Sequence, residues 1–76
     1  MELTTSTIFW KDHSEMIVWL SNEDTVELVK TFVEGTKDIV NVRNYIDGQA
    51  DGFMTHIEIE QIKCIIEGYA KIRVRR

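Results

Sequence analysis

The amino-acid sequence predicts a single α+β domain spanning residues 1–76, with element order β-β-α-β-β-β and one helix packed on a mainly antiparallel sheet. Three observations predict it. A capped amphipathic stretch occupies positions 22–35, β-branched and aromatic runs precede and follow it, and no proline, linker or internal repeat divides the 76 residues. A chain of this length hides only about 60% of its unfolded surface, so its core is thin.

The elements follow in order. Thr4 to Trp10 is β-branched and aromatic and reads as a strand. The polar cluster from Lys11 to Glu15 is a turn, and Met16 to Leu20 is an unbroken apolar run, the mark of a strand covered on both faces or at an interface. These pieces make a first hairpin. Ser21 precedes Asn22-Glu23-Asp24, which places a capping hydroxyl and two carboxylates at the positive end of a helix. Val26, Leu28, Val29, Phe32 and Val33 form the expected buried stripe, with Glu23, Glu27, Lys30, Thr31 and Glu34 opposite, and Gly35 suits a left-handed cap.

Asp38 to Ile46 is rich in valine, isoleucine and tyrosine. Val40, Val42 and Ile46 are expected on one strand face, with Asn41, Arg43 and Tyr45 on the other. Two Asp-Gly pairs, at 47–48 and 51–52, supply turn chemistry. From Phe53 to Glu60 the alternation has strand period, Ile62, Cys64 and Ile66 can continue it, and Lys71 to Arg75 closes with another alternation. The same region admits a second reading. Thr55 and Glu58 have capping-box spacing, and Ile59, Ile62, Ile65 and Ile66 lie at helical spacing before Gly68.

Composition narrows the function classes. Hydrophobic residues make up 43% and the net charge is −4, a globular balance that disfavours nucleic acid as the default partner. Cys64 is the sole cysteine, so an intrachain disulfide is excluded; flanked by isoleucines, it is expected to be a small buried hydrophobe in a reducing, cytoplasmic setting. No apolar run approaches a membrane span, and the first seven residues lack the basic-then-apolar order of a secretory signal. No phosphate loop, nucleophile elbow or cysteine–histidine cluster occurs. The expectation is a protein that is not an enzyme and needs no cofactor.

Three groups of residues are candidates for binding. Trp10 and Trp19, with Phe9, sit on two short strands, where they either pack into the core or, left partly uncovered, are suited to anchor a protein partner. Lys71, Arg73 and Arg75 would line one strand face, where they would meet phosphates or a charged protein, or would block sheet-to-sheet aggregation. The twelve residues 47–58 resemble an EF-hand calcium loop. Asp47, Gln49, Asp51 and Thr55 would offer side-chain oxygens, Phe53 its carbonyl and Glu58 both carboxylate oxygens, with Gly52 at the bend. Gln49 departs from the usual acid or asparagine, and residues 38–46 are poor helix formers, so a hairpin is preferred there. His56, Glu58 and Glu60 would share a strand face, a polar edge facing water.

The run Ile17 to Asp24, the amphipathic helix after it, and Glu60-Gln61-Ile62-Lys63-Cys64-Ile65 near the end of the stretch 42–67 are similar to small uncharacterised proteins carried by phages, prophages and plasmids of Gram-positive bacteria. The resemblance covers residues 16–67 and implies a small accessory protein that binds and inhibits a host protein, including a defence nuclease. It carries over no site residue. The expected activity is therefore that of a cytoplasmic interaction protein, self-associating as a dimer, with a calcium module and a nucleic-acid binder as the alternatives.

Overall fold

The structure, a computed structural model, describes residues 2–46 and 49–73. Strand β1 (Glu2–Trp10) and strand β2 (Glu15–Ser21) form the expected hairpin, helix α1 (Asn22–Glu34) follows, and β3 (Ile39–Asn44) pairs with β4 (Phe53–Glu58). A short 3-10 turn, Ile59–Gln61, leads into β5 (Ile62–Arg73), which returns along the other side of β1. The class and order are those read from the sequence. The strands divide into two antiparallel sheets, β2-β1-β5 and β3-β4. The helical reading of residues 55–67 does not occur, because both segments find antiparallel partners. The alternation breaks at 59–61, and the closing strand begins at Ile62 and runs to Arg73.

Helix α1 starts and stops where its caps dictate. Ser21 Oγ accepts the Asp24 N–H at 3.2 Å. Gly35 at φ 66° directs its own N–H to the Thr31 carbonyl. The buried face is rotated from the expected stripe. Thr25, Leu28 and Thr31 are buried, Val29 and Phe32 half-buried, while Val26 and Val33 are exposed. The rotation follows from two polar contacts. Asp24 turns inward to accept the Arg43 N–H at 3.0 Å, and Thr25 Oγ1 donates to the Ser21 carbonyl at 2.9 Å. An unpaired donor on β3 costs more than leaving two valines in water.

The main core joins the helix, the inner face of the three-stranded sheet and the β3-β4 ribbon through Ile8, Val18, Leu20, Leu28, Val40, Val42, Ile57, Ile59 and Ile62. A second, smaller cluster lies on the opposite face of the sheet, where Tyr45 covers Leu3 beside Trp19 and Ala50. This corrects the expected grouping in β3. The strand ends at Asn44, so the alternation lapses, Tyr45 folds inward and Ile46 is left exposed. β5 carries two more residues than β1 between the pairs Thr4–Lys71 and Ser6–Glu67, and Gly68 at φ 94° lies within that bulge.

Candidate functional site

The three-stranded sheet has two faces, and only one is fully covered. Alternation along β1 sends Ser6 and Ile8 inward and Thr5, Thr7 and Phe9 outward. Register then sets the outer rows. Thr7 lies opposite Ile17 on one side and Ile66 on the other, and Phe9 lies between Glu15 and Cys64. Tyr45 shelters the end of this face that bears Leu3 and Trp19. The remainder stays open, with Ile17 59% and Ile66 39% exposed. Cys64 is exposed as well, not a buried hydrophobe, because the strand places it on this outer face.

The two tryptophans expected to anchor a partner are separated by the fold. Trp10 packs against the main core from the inner face, and Trp19 packs against the Leu3–Tyr45 cluster from the outer one; both are half-buried. Trp19 therefore explains, within the chain itself, most of why Met16 to Leu20 is apolar on both sides. Ile17 alone in that run is open to solvent. Lys71 lies opposite Thr4 on β5 and Arg73 opposite Glu2, while Arg75 lies outside the described residues.

A second concavity lies at the other end of the sheet. An open cleft of about 340 Å³ is lined by Trp10, Asp12, Ser14, His56, Glu58 and Gln61. The turn after β1 builds one wall: Trp10 N–H donates to the Ser14 carbonyl at 2.9 Å, Lys11 N–H reaches the Gln61 carbonyl at 2.8 Å, and His13 takes a left-handed φ of 71°. Asp12 accepts both the Ser14 hydroxyl and the Ser14 N–H, the latter at 2.9 Å. These bonds, the hydroxyl first, hold its carboxyl below the usual aspartate range. His56 hydrogen-bonds Asn41 across the β3-β4 ribbon. Glu60 leaves the strand face expected to carry it with His56 and Glu58, because the 3-10 turn begins first; it borders an adjoining hollow with Asp38 and Ile39.

The calcium-loop residues are not gathered. Asp47 lies outside the described residues. Gln49 is an exposed loop residue whose N–H donates to the Ile46 carbonyl at 3.2 Å. The Asp51 carbonyl accepts the Arg43 guanidinium at 2.8 Å, and Phe53, Thr55 and Glu58 extend along β4. An extended strand carries Glu58 away from Asp51 by roughly 3.3 Å per residue, where a helix would turn it back. Among the described residues, no three His, Cys, Asp or Glu side chains converge as a metal site would require. Gly52 serves the hairpin itself. Its φ is 63°, and a β-carbon there would stand 2.9 Å from Arg43 Cγ and 3.0 Å from the Asn44 carbonyl oxygen.

The row Ile17–Thr7–Ile66 was not among the candidates that sequence reasoning singled out. Its members lie far apart in the chain, and only strand register brings them together. Among the described residues, no helix is long and apolar enough to cross a membrane. Comparison with protein-family models, curated proteins and solved structures finds no match.

Proposed function

We propose that this chain is a small, non-enzymatic protein-binding module that docks a host protein through the open outer face of its three-stranded sheet and inhibits it by occlusion. The observation that carries this reading is the cross-strand row in which Ile17 and Ile66, both exposed, flank Thr7, with Phe9 and Cys64 in the next row. In a thin-cored protein two exposed isoleucines set on either side of a threonine, with Phe9 in the next row, are costly to leave wet, and a partner offsets that cost.

Charge selects the kind of partner. Residues 1–70 contain 13 carboxylates and 5 Lys or Arg, a net of 5 − 13 = −8, whereas the last six residues contribute +4. An anionic body around these exposed isoleucines fits a protein whose own contact surface is cationic, as a nucleic-acid-binding groove is. Direct binding of nucleic acid is less well supported, since the anionic balance of residues 1–70 repels phosphates.

The test begins with capture from a Gram-positive host lysate, with and without chelator and nuclease, and continues with titration of the captured protein. Ile17→Glu combined with Ile66→Glu should weaken binding by about 100-fold or more while leaving the fold intact, as expected for loss of central anchors. Binding should survive chelator and nuclease. Unchanged affinity of the double variant, or capture that nuclease abolishes, overturns the reading.

A further inference from the structure

We infer that the cleft between the turn after β1 and the end of β4 is a binding site for a guanidinium group, that of an arginine side chain in another polypeptide. Trp10 is half-buried, packing against the main core and lining the cleft. Asp12 supplies a carboxylate from the turn and Glu58 a second from β4. His56 adds a neutral acceptor. The Asn41 side-chain oxygen bonded to His56 can only accept, so Nδ1 carries the proton and Nε2 is left as the acceptor of the neutral ring. Among the described residues, neither Asp12 nor Glu58 joins a salt bridge, and no Lys or Arg lines the cleft.

An indole wall beside several acceptors and no cation matches one kind of ligand. A guanidinium is planar and weakly hydrated, stacks on aromatic rings, and presents five N–H donors in a fork that suits carboxylates. A metal ion fits worse, since no three potential ligands converge among the described residues. An adjoining hollow shares Glu58 and Gln61 with the cleft and adds Asp38 and Glu60, which extends the negative field along the approach. The same field repels the α-carboxylate of free arginine, so an arginine within a chain, flanked by neutral amides, is the better source. At about 340 Å³ the cleft lies near the lower end of small-ligand sites, roughly 300–1,000 Å³, enough for a single side chain. Binding here needs no contact on the outer sheet face, and a partner with a cationic surface supplies the required residue.

NMR titration tests it, with N-acetyl-arginine methylamide as the probe. The probe should shift the Trp10 indole N–H with a Kd of about 1–10 mM, leave the Trp19 indole unmoved, and give nuclear Overhauser contacts from its δ-methylene to the Trp10 ring. The citrulline analogue, planar but neutral, should not bind. Blocked lysine and free arginine should each bind at least about 3-fold more weakly than the probe. Glu58→Gln should weaken binding about 5-fold or more, whereas Glu34→Gln, which removes the same charge at the end of helix α1, should change it by less than about 1.5-fold. Both glutamates are exposed, so both variants keep the fold, which circular dichroism checks. No shift of Trp10 at about 50 mM probe, citrulline or lysine binding as tightly as arginine, or equal losses from the two variants would each overturn the site. Free arginine binding as tightly as the probe would overturn its polypeptide source.

Discussion

Asn44 fastens the two sheets to each other through Trp19. Its side-chain Oδ1 accepts the Trp19 backbone N–H at 2.9 Å, and the next residue, Tyr45, donates its own N–H to the Trp19 carbonyl at 2.9 Å. The end of β3 thus continues the hydrogen bonding of β2 for one residue, and it delivers the Tyr45 ring onto Leu3. Asn44→Ala should cost about 1–2 kcal/mol by leaving a part-buried donor unpaired, whereas Asn44→Asp, which keeps the acceptor, should cost less than half of that. Urea melts of the two variants compare them, and equal losses would show that the amide oxygen is not what matters.

The rotated helix face makes a sharper distinction. Leu28→Ala should cost about 2–5 kcal/mol, since it empties a fully buried position, while Val26→Ala and Val33→Ala should change stability by less than about 0.5 kcal/mol. A valine substitution as costly as the leucine one would restore the stripe read from periodicity alone.

Gly52 and Gly35 both have positive φ, but only Gly52 is crowded. Gly35→Ala should cost about 1 kcal/mol for the left-handed backbone alone. Gly52→Ala should exceed it, at roughly 2–4 kcal/mol, because backbone and side-chain atoms of β3 must also move. Thermal melts that rank the pair the other way would contradict the geometry of the hairpin.

Ser6 is buried on the inner face of β1, and its Oγ has no hydrogen-bond partner among the described residues. Ser6→Ala should therefore be neutral or stabilise the protein by up to about 1 kcal/mol, since a desolvated hydroxyl is removed and no bond is lost. A clear destabilisation would mean that the hydroxyl is satisfied in solution.

Asp12 gives a pH dependence with a definite sign. Ser14 lowers its folded pKa, so the turn gains stability above the ordinary aspartate range, at about pH 4 and higher, and loses it as pH falls through the folded value. Ser14→Ala should move the Asp12 titration upward, toward the ordinary value, in carboxyl-carbon NMR. An unchanged midpoint would detach the shift from that hydroxyl.

Much of the fold was legible in local chemistry. Ser21 and Gly35 bounded the helix, the polar cluster after Trp10 made a turn, and Asp51-Gly52 led into β4, because each of these signals acts on the backbone within a few residues. The candidate site was far less legible. Trp10 and Trp19 are large and suit interfaces by type, yet the structure spends most of each on its own two clusters and leaves Ile17 and Ile66 as open apolar contacts on the outer face of the three-stranded sheet.

By itself the sequence determined the class, the element order, the caps and the absence of an intrachain disulfide, all of which depend on residue type and short spacing. Tertiary structure alone decided three things. It chose strand over helix for residues 62–67, because β1 offered that segment an antiparallel partner that periodicity cannot see. It turned the helix so that Asp24 and Thr25 face inward, because the Arg43 N–H on a distant strand required an acceptor. It also aligned Ile17, Thr7 and Ile66 in one row, since register between strands is a long-range property and a shift of one residue would have turned that row to the opposite face.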